Sequence, residues 1–151
     1  MKKSEKISNL IQEQIESNIL FQNCCKEELE EINTCFRPRD VEAGGVVIYQ
    51  EDIGNEFYVL ENGTYEVYVD GVVVSTIDGP SSFGELALLF GCTRRATIRA
   101  KTECKLWYIL QQDFRSITGN YKVKSLQRKV DILKKVSAII FYFESNLLSN
   151  F

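Results

Sequence analysis

From Gly44 to Ile109 the chain is cut into short β-forming runs by glycine-centred turns, and this restricts the fold more than any other feature. Val46-Val47-Ile48-Tyr49 is entered through Gly44-Gly45, and Phe57-Tyr58-Val59-Leu60 is bounded by Gly54 and Gly63. Tyr65, Val67 and Val69 alternate with Glu66 and Tyr68, the period-two pattern of a half-buried strand. Asp70-Gly71 then separates this strand from Val72-Val73-Val74. That dipeptide is a strong hairpin signal, because both central positions of a tight two-residue turn need a positive φ. Gly79-Pro80 marks a further turn, residues 83–95 interrupt the strands, and Ala96–Ala100 and Cys104–Ile109 follow. Short strands with turn signals every eight to twelve residues or so predict an antiparallel barrel or jelly roll.

Helical periodicity flanks this β-rich stretch. Ile7, Leu10, Ile11, Ile15, Ile19 and Leu20 recur at three- and four-residue steps, which predicts a helix over 4–22 with Ser4 as its N-cap. A second helix is expected over Lys26–Cys35, with Leu29, Ile32 and Phe36 on one side and Pro38 as its stop. Past Asp113 the pattern is helical again. Val123, Leu126, Val130, Leu133 and Ser137 share a face, and Lys122, Lys124, Arg128, Lys129, Lys134 and Lys135 are spread around the rest. The expected organisation is an N-terminal helical segment over 1–37, a β-roll over 38–112 and a C-terminal helical segment over 113–151.

Several function classes fall away on composition. The chain has no histidine, so it hosts neither a Ser-His-Asp nor a Cys-His arrangement, nor the usual His-bearing zinc and iron sites. Cys24, Cys25, Cys35, Cys92 and Cys104 form no CxxC pair, which also disfavours an all-cysteine metal site. Their odd number and irregular spacing predict reduced thiols and a cytoplasmic protein. No catalytic residue, metal ligand or cofactor is therefore expected. A net charge of −3 argues against a surface given over to nucleic acid, and the cations of 122–135 read as a solvated face. No window approaches the run of about 18 apolar residues that a membrane span needs, and the N-terminus lacks the apolar stretch of a signal peptide.

The interruption between the strands holds the chemistry. It reads Phe83-Gly84-Glu85-Leu86-Ala87-Leu88-Leu89-Phe90-Gly91-Cys92-Thr93-Arg94-Arg95-Ala96-Thr97. Gly84 lets the backbone approach a ligand closely, because no side chain intervenes. Glu85–Leu89 is long enough for one helical turn, whose leading N–H groups can meet an anion. Arg94 can return across the loop to hold the same anion with its planar fork. Glu85 would repel a bare phosphate but accepts a hydrogen bond from a neighbouring hydroxyl. The ligand these groups imply is a phosphorylated sugar or nucleotide of modest negative charge.

The stretch Phe83–Thr97 closely resembles the phosphate-binding cassette of cyclic-nucleotide-binding domains, especially those of eukaryotic cyclic-nucleotide-dependent protein kinases. The likeness extends over roughly residues 10–137. It takes in Gly54-Asn55-Glu56-Phe57-Tyr58-Val59, Gly63, and Lys101-Thr102 to Lys105-Leu106-Trp107. The resemblance implies an eight-stranded antiparallel β-roll, mainly β, with N-terminal helices and a C-terminal hinge helix. It implies that Glu85 accepts from the ribose 2′-hydroxyl and that Arg94 pairs with the cyclic phosphate. Gly84, Leu86 and Ala87 would wrap the sugar-phosphate, with Phe83, Arg95 and Ala96 completing the site. The implied function is regulatory: a receptor for cAMP or cGMP that controls a kinase catalytic subunit or domain. The chain itself has no kinase Gly-rich loop, HRD or DFG, so any kinase activity lies outside it.

Departures from the family pattern matter as well. Arg95 stands where members favouring cGMP typically have Thr or Ser and cAMP-selective kinase domains commonly have Ala; Cys92-Thr93 before it resembles the cGMP kinases, and the reading leans to cAMP. Leu110-Gln111 replaces the Asp-Arg pair usual after the last barrel strand, which bears on how the roll signals to its C-terminal helix. Tyr121, Phe141, Tyr142 and Phe143 are candidates for the aromatic that caps the base. Trp107 is expected in core or interdomain packing rather than on a base, and Arg94-Arg95-Ala96-Thr97 matches a basophilic phosphorylation site only by coincidence. Alternatives are a cGMP-selective domain and a nucleotide-independent interaction module on the same fold. A cupin-type enzyme is disfavoured by the missing histidines.

Overall fold

The computed structural model of the chain describes residues 3–89, 91 and 93–149. The chain divides into two compact units, Met1–Ile117 and Thr118–Phe151. The first opens with helix α1 (Glu5–Glu16), a 3-10 turn (Ile19–Phe21) and helix α2 (Lys26–Thr34). Strands β1 (Arg37–Val41), β2 (Val46–Ile48), β3 (Glu56–Asn62), β4 (Thr64–Val69), β5 (Val72–Asp78) and β6 (Ser81–Phe83) follow. A one-turn helix α3 (Leu86–Leu89) precedes β7 (Thr97–Ala100), β8 (Cys104–Leu110) and the long helix α4 (Gln111–Ser149). The eight strands form two antiparallel four-stranded sheets, in the orders β1-β8-β3-β6 and β2-β7-β4-β5. This is the eight-stranded roll with flanking helices that the resemblance implied.

The two sheets meet over Ile48, Tyr58, Leu60, Tyr65, Phe83, Ile98, Ala100, Cys104 and Leu106. The run Phe57–Leu60 does not alternate because β3 is buried on both faces. Tyr58 and Leu60 face the opposite sheet. Phe57 packs its ring 5.7 Å from Phe21 and 6.1 Å from Phe36, on the helical side. Phe114, in the first turn of α4, meets the other edge of Phe21 at 5.6 Å. Trp107 is buried, and its indole N–H donates to the Glu61 carboxylate at 2.8 Å, so it belongs to the core as expected.

Four local features differ from the sequence reading. The helix expected over 4–22 stops at Glu16. Ser17 turns its hydroxyl back to the Gln14 carbonyl, and extended Asn18 caps the 3-10 turn through the Leu20 N–H. Ser and Asn offer the backbone side-chain partners that compete with the helix, and Ile19 falls off the buried stripe of Ile7, Ile11 and Ile15. Pro38 does not stop α2, which ends at Thr34 with Cys35 as its C-cap. It lies inside β1, an edge strand whose outer N–H groups need no partner. Strand β5 runs on through Ser75-Thr76-Ile77-Asp78, and Ser81-Ser82-Phe83 forms β6. Helix α4 begins at Gln111, directly after β8.

The Asp70-Gly71 turn has φ of 51° and 78°, the left-handed geometry that its residues predict. Cys24, Cys25, Cys35 and Cys104 are free thiols. No helix among the described residues is long and apolar enough to cross a membrane. Residues 118–149 form one continuous helix with the apolar spacing noted above.

Candidate functional site

Strand β6 delivers Phe83 into the core and then turns sharply at Gly84, whose φ is +85°. Phe83 stacks on Tyr58 with ring centroids 5.2 Å apart and meets Tyr65 edge-on at 5.8 Å. It backs the site and is not part of its lining. Past the turn, a cavity of about 240 Å³ opens. Gly84, Glu85, Leu86 and Ala87 line one side, and Thr93, Arg94, Arg95 and Ala96 line the other. Ile48 of β2 and Ile98 of β7 supply an apolar wall. Of the eight residues singled out in the sequence, the structure thus gathers seven around one cavity.

Arg94 is fixed at its backbone before its side chain does anything. Its N–H donates to the Asp52 carbonyl at 2.7 Å, and its carbonyl accepts the Glu51 N–H at 2.8 Å. The neighbouring Thr93 bridges Ile53. The side chain is consequently directed inward. Its Nη2 donates to the Glu56 carbonyl at 2.7 Å, with a longer contact from Nη1 to the Gly84 carbonyl at 3.5 Å. Two carbonyls leave most of a five-donor guanidinium unspent. Glu85 is half-buried on the facing side, and its carboxylate has no hydrogen-bond partner among the described residues. In α3 the Ala87 and Leu88 N–H groups are taken by the Gly84 and Glu85 carbonyls, at 3.2 and 3.1 Å. The N–H groups that precede them, of Glu85 and Leu86, open the helix and have no acceptor within it.

Beside Arg94 lies a second polar cluster. The Tyr58 hydroxyl donates to the Glu56 carboxylate, which also lies 3.6 Å from Nη1 of Arg39. Burial, and then this bond to Glu56, push the Tyr58 hydroxyl well above the ordinary tyrosine range, so it remains a donor. The first turns of α4 are tied to α3. Gln111 donates from its backbone to the Asn55 carbonyl at 2.7 Å and from its side chain to the Ala87 carbonyl at 2.8 Å. Arg115 donates to the Leu89 carbonyl at 3.1 Å. Where the family pattern has a charged pair, a neutral amide thus joins α3 to the start of α4. Among the capping candidates, Tyr121 and Tyr142 belong to the second unit, and the side chains of Phe141 and Phe143 lie outside the described residues.

Sequence reasoning missed the back of the site. Gly54 is buried directly behind Arg94, and a Cβ there would overlap the guanidinium. Only the distance in sequence hides this, since Gly54 reads as an ordinary turn glycine. Gly54→Ala is expected to weaken anion binding about tenfold while leaving the fold intact, because the flexible end of Arg94 yields before the backbone does. Titration calorimetry paired with a melting curve checks this. Unchanged affinity would mean that Arg94 does not need this seat.

Comparison with known proteins identifies the family. Residues 38–121 match the family described as cyclic nucleotide-binding domain. The cGMP-dependent protein kinase isozyme 2 of Drosophila melanogaster is 37% identical over 134 residues, which is 89% of this chain and 12% of the kinase. The cAMP-bound PfPKA-R structure (141–441) superposes with a TM-score of 0.70 at 34% identity, covering 78% of this chain and 43% of that one. The regulatory domain of Toxoplasma gondii PKA with cAMP gives a TM-score of 0.67 at 26% identity, covering 77% and 46%. The chain spans about an eighth of the kinase it matches and under half of the two solved chains. With its two-sheet roll, its Gly84–Ala96 cavity and this match over more than half its length, the chain belongs to the cyclic nucleotide-binding domain family.

Proposed function

We propose that this chain is the cyclic-nucleotide receptor of a regulator of a cyclic-nucleotide-dependent protein kinase, acting in the cytoplasm on a kinase catalytic subunit or domain. The observation that carries the reading is that Arg94 and Glu85 line the same cavity across a positive-φ glycine. A guanidinium fork matches the two free oxygens of a cyclic phosphate, and Glu85 is a suitable acceptor for the ribose 2′-hydroxyl. Ile48 and Ile98 offer an apolar wall to the purine. Gly84, Leu86, Ala87 and Ala96 wrap the sugar-phosphate, and Arg95 stands at the rim. No residue acts as a catalyst; the chain binds and reports.

Signalling follows from the ties already described. Gln111 and Arg115 join α3 to the first turns of α4. A ligand that draws α3 towards Arg94 therefore pulls on the start of α4. It shifts the balance between two α4 positions only by as much as it binds one better than the other. For the base, the reading favours cAMP, because the residue directly after Arg94 is Arg95, which has no hydroxyl to hold guanine.

The test is titration calorimetry of ligand-free protein with cAMP and with cGMP. Saturable binding of either supports a receptor, and tighter binding of cAMP supports the base assignment. Absence of heat with both nucleotides overturns the proposal.

A further inference from the structure

We propose that Arg39 and Tyr58 are positioning residues that hold the Glu56 carboxylate away from Arg94 and so keep the guanidinium available for an anionic ligand. The inference rests on the reading that Arg94 receives the phosphate. Its starting point is an oddity of Glu56. Arg94 donates to this residue's main-chain carbonyl at 2.7 Å, yet the same residue bears a carboxylate. A carboxylate is the better partner for a guanidinium, because charge-assisted bidentate bonds are roughly twice as strong as neutral ones. An Arg94–Glu56 fork would satisfy the very donors that a cyclic phosphate must use.

The structure shows where that carboxylate goes instead. The Glu56 carboxylate is turned to the hydroxyl of Tyr58 and to Nη1 of Arg39, 3.6 Å away. Both holders are themselves fixed. Arg39 lies over the ring of Tyr108 at 4.5 Å and over that of Tyr58 at 5.9 Å. Tyr58 is stacked on Phe83. Strand register sets the spacing: on β8, Leu106 faces Arg39, Tyr108 faces Tyr58 and Leu110 faces Glu56. The Arg39–Glu56 pair is partly open to water, with side chains 37% and 19% exposed. As a stabilising ion pair it is weak. Its consequence is directional, since it decides which of two guanidinium groups the carboxylate meets.

A double-mutant cycle on the whole chain tests this, read as the dissociation constant for cAMP and for cGMP by titration calorimetry. Arg39→Met keeps the aliphatic stem over Tyr108 and removes the charge. It is expected to weaken binding about tenfold. Glu56→Gln in that background should recover most of the loss, while the same change in wild type should have a much smaller effect. A plain loss of positive charge near the ligand would instead make the two steps additive. Tyr58→Phe, which changes no charge, should weaken binding about threefold or more, and Glu56→Gln should reverse this too. If Arg39→Met does not fold, the Tyr58 and Glu56 pair carries the test alone. Additive steps, or full affinity in both Arg39→Met and Tyr58→Phe, overturn the inference while leaving the receptor reading intact. Absence of binding by wild type overturns both.

Discussion

Arg94→Lys is expected to weaken cyclic nucleotide binding about 10- to 100-fold, since a hydrogen bond to a charged group contributes about 1.5–3 kcal/mol and each 1.4 kcal/mol is tenfold. The arginine presents a rigid fork whose backbone is pinned on both sides, to Asp52 and Glu51. One edge of that fork rests on the Glu56 carbonyl, Nη1 makes a long contact to the Gly84 carbonyl, and most of the donors are left for the ligand. A lysine ammonium keeps the charge but concentrates it at one point, so it cannot serve the carbonyl and two phosphate oxygens together. The loss should appear mainly as faster dissociation, because long-range attraction is unchanged. Titration calorimetry and stopped-flow release measure the two quantities, and a melting curve verifies that the roll is folded. Equal affinity in Arg94→Lys and wild type would show that the fork does not grip the phosphate.

The parts of this molecule that were legible in the sequence are those where local chemistry and fold agree. The Asp70-Gly71 hairpin needs positive φ at both positions, and its residues supply it. The unbroken apolar run Phe57–Leu60 marks a strand covered on both faces. The second half of β5 and all of β6 escaped because Ser75, Thr76, Ser81 and Ser82 have no apolar face of their own. Their pairing with β4 and β3, settled by tertiary structure, makes them strands. Pro38 is a similar case, a helix breaker by local rule that an edge strand accommodates.

The site divides along the same line. Gly84, Glu85 and Arg94 are close enough in sequence to read as one constellation. Ile48 and Ile98 reach the cavity from other strands, Gly54 seats Arg94 from behind, and the carbonyl that receives Arg94 has no residue-type signal at all. Phe83 shows the opposite error: neighbouring a motif in sequence suggested contact with the ligand, whereas the alternation of β6 sends its ring into the core.

Phe57→Ala is expected to cost the first unit about 3–5 kcal/mol of stability, the range for removing a fully buried aromatic side chain. Phe57 is completely buried, and it faces the helices rather than the opposite sheet. Its ring touches Phe21 of the 3-10 turn and Phe36 after α2, while Phe21 in turn supports Phe114 of α4. One truncation therefore loosens three helical segments at once, and they are attached to different stretches of chain, so no single relaxation can fill the cavity. Phe57→Leu should recover more than half of the loss, because much of the volume returns. Val74→Ala, on the exposed edge strand β5, should stay within about 0.5 kcal/mol of wild type. Urea unfolding followed by circular dichroism compares the three variants. The site should feel this change as well, because α3 is tied by Gln111 and Arg115 to the turns of α4 that Phe114 anchors. Cyclic nucleotide should then bind Phe57→Ala less tightly than wild type in titration calorimetry. A stability loss below about 1 kcal/mol would place Phe57 outside the class of fully packed core positions. It would also require some other contact to seat the helices on β3.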